Sequence, residues 1–308
     1  MIDLLGKRYY FFAFSLLLII PGFVVILMWG FPLAVDFTGG TMMEIEFDSG
    51  IAPQPAEIVL LYEDMGIDDI LAQTSGDARI NAKSSVLDEE TRAEVVARIE
   101  DAFDTTVTVL RFDSVGPTIG QEVTSRALIA ILVAALAVMI YITWAFRGIE
   151  NSFRYGVCAI IAMFHDVAVL ISLAALGGHY LGWQIDALFL TSLLTVIGFS
   201  VQDKIVVFDR VRENSAIYRR LNYETLVNHS IIQTLQRSIN TQLMTVEFML
   251  LALVLLGGVT LRAFSVTLLV GLFMGTYSSI FIAAPTLVAW ENQEWRNWFR
   301  RGAKQASA

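Results

Sequence analysis

The strongest constraint on this chain is a series of long runs without charge. Tyr9–Val35 has no Asp, Glu, Lys or Arg over 27 residues, Ala127–Phe146 none over 20, and Ala263–Trp290 none over 28. Tyr155–Ile185 carries only Asp166, Ala187–Phe208 only Asp203 and Lys204, and Ser238–Leu261 only Glu247. A helix needs about 20 apolar residues to cross a roughly 30 Å hydrocarbon layer, and runs this long satisfy their own backbone there only as helices. The runs predict six transmembrane helices, over 10–30, 126–146, 155–176, 187–208, 239–257 and 265–288. Composition agrees: charged residues are 17%, against about 25% in soluble chains. An ordinary soluble enzyme and a disordered chain are both excluded. The single cysteine, Cys158, forbids an internal disulfide or a Cys-based zinc cluster, and the three histidines lie far apart, so no metal site is expected. A net charge of −9 disfavours nucleic acid as a partner.

The charges that remain are segregated. Residues 36–122 hold 19 acidic and 5 basic side chains, whereas the rest of the chain is weakly basic. Basic residues flank the spans unevenly. With the N-terminus inside, the inner segments carry Lys7, Arg8, Arg147, Arg154, Arg210, Arg212, Arg219, Arg220, Arg237, Arg296, Arg300, Arg301 and Lys304, and the short outer loops carry only Arg262. Both termini are therefore expected in the cytoplasm. The expected division is an inner N-terminus with a first anchor helix (1–34), an extracytoplasmic domain (35–122), five further helices (123–290) and a cytoplasmic tail (291–308).

Inside the acidic segment, Thr41–Phe47 alternates as a strand and Pro55–Met65 reads as a helix opened by proline. Asp68–Thr74 and Ala78–Ser84 flank a Ser-Gly-Asp turn, Asp88 opens a second helix to about Phe103, and Thr106–Phe112 is a β-branched strand. The order β-α-β-β-α-β predicts an α+β, ferredoxin-like domain.

Ionisable side chains within a span cost at least about 2.5–3.5 kcal/mol and are functional candidates by default. Asp203 lies near the inner end of the fourth span and Arg237 at the inner entry to the fifth, so the two helices are placed to bring acid and guanidinium together. Three readings stand: a carboxyl balanced between burial and a nearby cation relays protons, a static ion pair fixes helix register, or Arg237 simply lies at the lipid headgroups. Asp166 and His165 lie deeper, and form either a relay or a polar clasp between helices. Glu247 is expected to be neutral and hydrogen-bonded, and Lys204 to snorkel to the inner surface. Gly271 and Gly275 form a GxxxG seam for close helix packing.

Several motifs together resemble the SecD/SecF family of bacterial protein-export membrane subunits, and its SecF branch in particular. They are Val35–Thr41 (VDFTGGT, with Asp36, Gly39 and Gly40), Val115–Gly120 (VGPTIG, with Gly116 and Pro117), Phe164-His165-Asp166, Thr195–Asn214, and Thr234–Thr241. The resemblance runs from the first span to the sixth. It implies a polytopic α-helical membrane protein forming one half of an RND-like assembly, with both termini cytoplasmic in the bacterial inner membrane. It implies an auxiliary of the Sec translocase that uses the proton motive force in late protein export, with protons as coupling ion and no other cofactor. Implied partners are SecD, the SecYEG translocon, YidC and YajC, the unfolded polypeptide in transit and membrane lipid. By the same resemblance Asp203 is the coupling acid and Arg237 its arginine, with Asp166 in a less settled role. Lys204 departs from the small or hydroxylated residue usual after that acid, and Glu247 from an apolar or hydroxyl residue.

Three alternatives remain beside this one, the third a purely structural scaffold with passive ion pairs. An RND-like exporter of lipids or small molecules generally has two six-span halves, and this chain has one. An intramembrane aspartyl protease carries Gly-x-Gly-Asp, where this chain has Ser200-Val201-Gln202-Asp203. No P-loop, HExxH or Ser/His/Asp arrangement appears, so the chain is not expected to be an enzyme or its own ATP-driven motor.

Overall fold

The computed structural model describes residues 3–148, 152–242, 246–256 and 259–294. The chain forms two compact units: one of residues 1–24, 131–173 and 191–308, the other of 25–130 and 174–190.

The helical unit draws on α1 (Arg8–Trp29), α5 (Pro117–Ala145), α6 (Ser152–Leu181), α7 (Ala187–Ile217), α8 (Tyr223–Gln242), α9 (Phe248–Leu256), α10 (Val259–Ser278) and α11 (Ala284–Glu291). Among the described residues, five helical segments are long and apolar enough to span a bilayer: Leu5–Trp29, Pro117–Ala145, Ser152–Leu181, Ala187–Ile217 and Leu261–Glu291. The run 239–257, expected as a single span, is not among them. Its first residues close α8, a largely polar helix, and α9 has only nine residues. Residues 243–245 and 257 of that run lie outside the described residues.

The core of this unit joins Ile142 of α5 and Phe146 just beyond it, Cys158, Ala159 and Ala162 of α6, Val207 and Phe208 of α7, Ile231 of α8, Ala283 in the π turn that follows α10, and Leu287 of α11. Alanines at the crossing points let the helices approach closely, the usual substitute for hydrophobic driving force in lipid. The glycine seam works likewise. A Cβ on Gly271 would lie 2.3 Å from Val196 Cγ2, and one on Gly275 3.0 Å from Ser200 Cβ, so α10 lies directly against α7.

Pro21 sits within α1 and interrupts its hydrogen-bond ladder. One residue on, the Gly22 N–H donates to Ser172 Oγ at 3.2 Å, and that hydroxyl donates to the Leu18 carbonyl at 2.7 Å. A side chain of α6 thus stands inside the i→i−4 ladder of α1 and satisfies both ends, as backbone in lipid requires.

The second unit contains the short α2 (Val35–Thr38), then β1 (Gly40–Phe47), α3 (Pro55–Asp64), β2 (Leu71–Thr74), β3 (Arg79–Ser84), α4 (Glu89–Phe103) and β4 (Val107–Val115). The sheet is antiparallel in the order β2-β3-β1-β4, with Ile45 opposite Ile80 and a bulge at Glu44/Ile45. Met43, Ile45 and Phe47 point to the face covered by Ile58 and Tyr62 of α3 and Val95 and Ile99 of α4. Alternation puts every second β1 side chain on that face. Pro55 opens α3 behind a Gln54/Glu57 capping box, and Asp88 caps α4 by accepting from the Thr91 N–H at 2.8 Å.

Candidate functional site

The polar centre of the helical unit is assembled from α6, α7, α8 and α10. Ser200 and Lys204 lie one turn apart on α7 and share a face; Asp203 leaves the same helix about 100° away. That difference divides the polar residues into two nodes.

The first node is built on Asp166, 1% exposed, and Lys204, fully buried. The ammonium donates to Asp166 Oδ2 at 3.0 Å and to Ser278 Oγ at 3.1 Å, and it also bonds Ser200 Oγ. Both hydroxyls donate onward to the same carboxylate oxygen, Ser200 at 2.5 Å and Ser278 at 2.8 Å. His165 Nδ1 donates to the other oxygen at 3.1 Å, while its buried Nε2 has no partner among the described residues. The structure corrects the expectation for Lys204: it does not snorkel to a surface but points into the bundle. Aliphatic snorkelling wins only where no acid is within reach, and Asp166 on the facing helix is within reach.

The second node is Asp203, 6% exposed. Its Oδ2 accepts from Thr276 Oγ1 at 3.0 Å and from Gln242 Nε2 at 3.3 Å. Both donors are neutral. The direct pair between Asp203 and Arg237 is not formed here: the Arg237 side chain is exposed, and its charge reaches Asp203 only through space. Position on α8 explains this, because Gln242 rather than Arg237 occupies the turn of α8 beside Asp203. Glu247 is buried and close enough to Asp203 for the two carboxyls to interact, and its Oε2 has no hydrogen-bond partner among the described residues. Asp166 and Asp203 accept from separate donors and share no hydrogen bond, unlike the paired carboxyls of an aspartyl protease. Glu247 lies in a π-type turn before α9, and Ser278 directly before the π turn Ser279–Ala283. Such turns re-aim side chains and are frequent at functional positions.

Gln242, Thr276 and Ser278 were not singled out from sequence. Hydroxyls at 276 and 278 within an otherwise apolar run are the signal that marks two of them; Gln242 has none.

In the other unit the two glycine motifs meet. Gly39 has φ +73° and Gly40 φ +108°, a region costly for L side chains. A Cβ on Gly39 would lie 2.7 Å from Pro117 Cα, and one on Gly120 2.7 Å from the Gly39 nitrogen. Thr124 Oγ1 donates to the Phe37 carbonyl at 3.0 Å, tying α5 to the same turn. Asp36 Oδ2 accepts from the Ala187 N–H at 2.9 Å, and Asp186 Oδ1 from the Phe189 N–H at 2.8 Å, so both carboxylates meet the N-terminus of α7. Burial pushes the Asp186 carboxyl above the usual range, against the bond from Phe189. Pro117 takes the first position of α5, where its missing N–H costs nothing. Gly116 shows no steric need to be glycine.

A family model described as protein export membrane protein SecD/SecF, C-terminal, matches residues 95–293, and one described as SecD/SecF GG motif matches residues 30–51. The chain belongs to the SecD/SecF family. The protein translocase subunit SecF of Anaerolinea thermophila is 66% identical over the full length of both chains. The subunit SecDF of Thermus thermophilus is 35% identical over 99% of this chain, which spans 40% of that longer one. A crystal structure of the Thermus SecDF, described as a translocon-associated membrane protein, superimposes with a TM-score of 0.80 over 94% of this chain and 39% of its own. The SecD/SecF GG motif corresponds to the turn in which Gly39 and Gly40 meet Pro117 and Ser84.

Proposed function

We propose that this chain is a SecF-type subunit of the protein translocase, using the proton motive force across a bacterial inner membrane to assist late protein export together with SecD. The observation that carries this reading is Asp203, an acid buried in the helical unit of a SecD/SecF protein and held by neutral donors alone. Asp166 already has its counter-ion in Lys204, so Asp203 is the group whose charge is free to change. In this reading, protonation of Asp203 loosens Gln242 and Thr276, lets α8 and α10 shift against α7, and drives movement of the acidic domain. Carrying one proton across the full field supplies about 2.3 kcal/mol per 100 mV, a bias of about fifty-fold on a two-state movement.

The reading includes six spans, with 239–257 as the fifth in chain order, and a ferredoxin-like domain of residues 35–122 outside the membrane. The β-α-β-β-α-β order and sheet order β2-β3-β1-β4 support that domain. SecD is the first partner, because the Thermus and Bacillus subtilis relatives named SecDF contain the matched region within longer chains. SecYEG, YidC, YajC and the unfolded polypeptide follow from the same role. The chain has no ATPase site of its own in this reading. An RND-type lipid exporter is not favoured, since relatives matched along their full length are named translocase subunits.

The test is Asp203→Asn in inverted membrane vesicles containing SecD. Export should lose its dependence on the proton gradient while co-purification with SecD persists. Undiminished gradient-dependent export by that variant would overturn the assignment.

A further inference from the structure

The second unit encloses a cavity of about 290 Å³ that none of the preceding roles uses. The end of α1, the loop 30–33, strands β2 and β3 and the α6–α7 connection form its wall, with Trp29, Leu33, Asn81, Lys83, His179 and Trp183 as its chief side chains. Among the described residues no Asp or Glu lines it, although residues 36–122 hold 19 acids.

Lys83 is half-buried and makes no ion pair among the described residues. Its ammonium donates one bond, to the Leu33 carbonyl at 3.1 Å, and its other two N–H groups have no protein partner among the described residues. Burial without a counter-ion pushes that ammonium below its ordinary value. Asn81 Oδ1 is enclosed with no partner, and turning the amide over presents its N–H groups instead. Trp29 packs on His179 with ring centroids 4.4 Å apart. The wall is preformed: a Cβ on Gly177 would lie 2.4 Å from Trp183, and one on Gly178 2.7 Å from Pro32.

We propose that this cavity binds the phosphodiester headgroup of a phospholipid, with Lys83 as its counter-ion, Asn81 as a second donor and Trp29 against the glycerol and upper acyl chains. Charge complementarity selects an anion. The position selects a lipid over a free anion: the cavity opens where the apolar helix Leu5–Trp29 ends, and tryptophans at such ends lie at headgroup depth. Val25, Trp29 and Phe31 give its wall an apolar stretch continuous with that helix.

The test uses the full-length protein, stripped of lipid in dodecyl maltoside and titrated with dioctanoyl phosphatidylglycerol, dioctanoylglycerol, inorganic phosphate or an extended uncharged peptide. Native mass spectrometry counts the bound species. Phosphatidylglycerol should be held about tenfold more tightly than dioctanoylglycerol, as expected for hydrogen bonds to a charged group. Lys83→Gln and Asn81→Asp should each abolish that preference, and Lys83→Arg should keep it. Equal retention of phosphatidylglycerol by the first two variants overturns the proposal. Phosphate bound as tightly as the lipid replaces it with a free-anion site, and a peptide bound more tightly replaces it with a polypeptide site. None of these results bears on gradient-dependent export, so this inference and the coupling role of Asp203 fail separately.

Discussion

Lys204 is the residue on which the membrane electrostatics turn. A lysine with no exposed surface is tolerable only because Asp166, Ser200 and Ser278 surround its ammonium. Removing one member leaves an uncompensated buried charge. Lys204→Met should therefore lower stability by about 3–5 kcal/mol. The double variant Asp166→Leu/Lys204→Met should recover most of that loss, measured as denaturant unfolding in detergent; a double variant as unstable as both singles summed would mean the pair is not coupled. Sequence showed every acid of this site, since a charge in an apolar run is conspicuous. It did not show which cation serves which acid. Lys204 adjoins Asp203 in the chain and Arg237 heads the next predicted span, and only the facing of α6 and α10 assigns Lys204 to Asp166 and leaves Asp203 to Thr276 and Gln242.

Elements were legible where one period dominates. The strands and helices of residues 40–115 fall close to their expected limits, because alternation and capping act locally. The segment 239–257 was less so: hydropathy alone sees its apolar residues and not the division between α8 and α9. Two elements permit quantitative tests. Gly271→Ala should destabilise the α7–α10 contact by about 1–3 kcal/mol through overpacking against Val196, and Val196→Ala should relieve it. Unfolding of the two single variants and the double variant checks this. In α4, hydrogen bonds from the Thr91 side chain and backbone hold Asp88 below the usual carboxylate range. An acid with a depressed folded value stabilises the fold above its unfolded pKa of about 3.9, and that contribution is lost as pH falls through the lower folded value. Amide exchange at Thr91 should accelerate across that window in the full chain. Asp88→Asn should remove the pH dependence while keeping the cap, and Asp88→Ala should speed exchange at neutral pH as well.

At the scale of the molecule, uneven charge makes a topology prediction. The acidic residues 36–122 should face away from the cytoplasm and the basic α7–α8 connection toward it. Ser49→Cys should react with a membrane-impermeant maleimide in intact cells, and Arg219→Cys only after permeabilisation; Cys158, fully buried, gives no background. The reverse labelling pattern would invert the assignment. How the bundle can rearrange is constrained by Ser172. Its hydroxyl completes the backbone of α1 beside Pro21, so sliding or rotating α1 along α6 would strand a bare amide and a bare carbonyl in hydrocarbon. Those two helices are therefore expected to move as one stator, and a stroke of the proposed kind falls to the contacts of α8 and α10 with α7, where hydroxyl and amide donors can exchange partners.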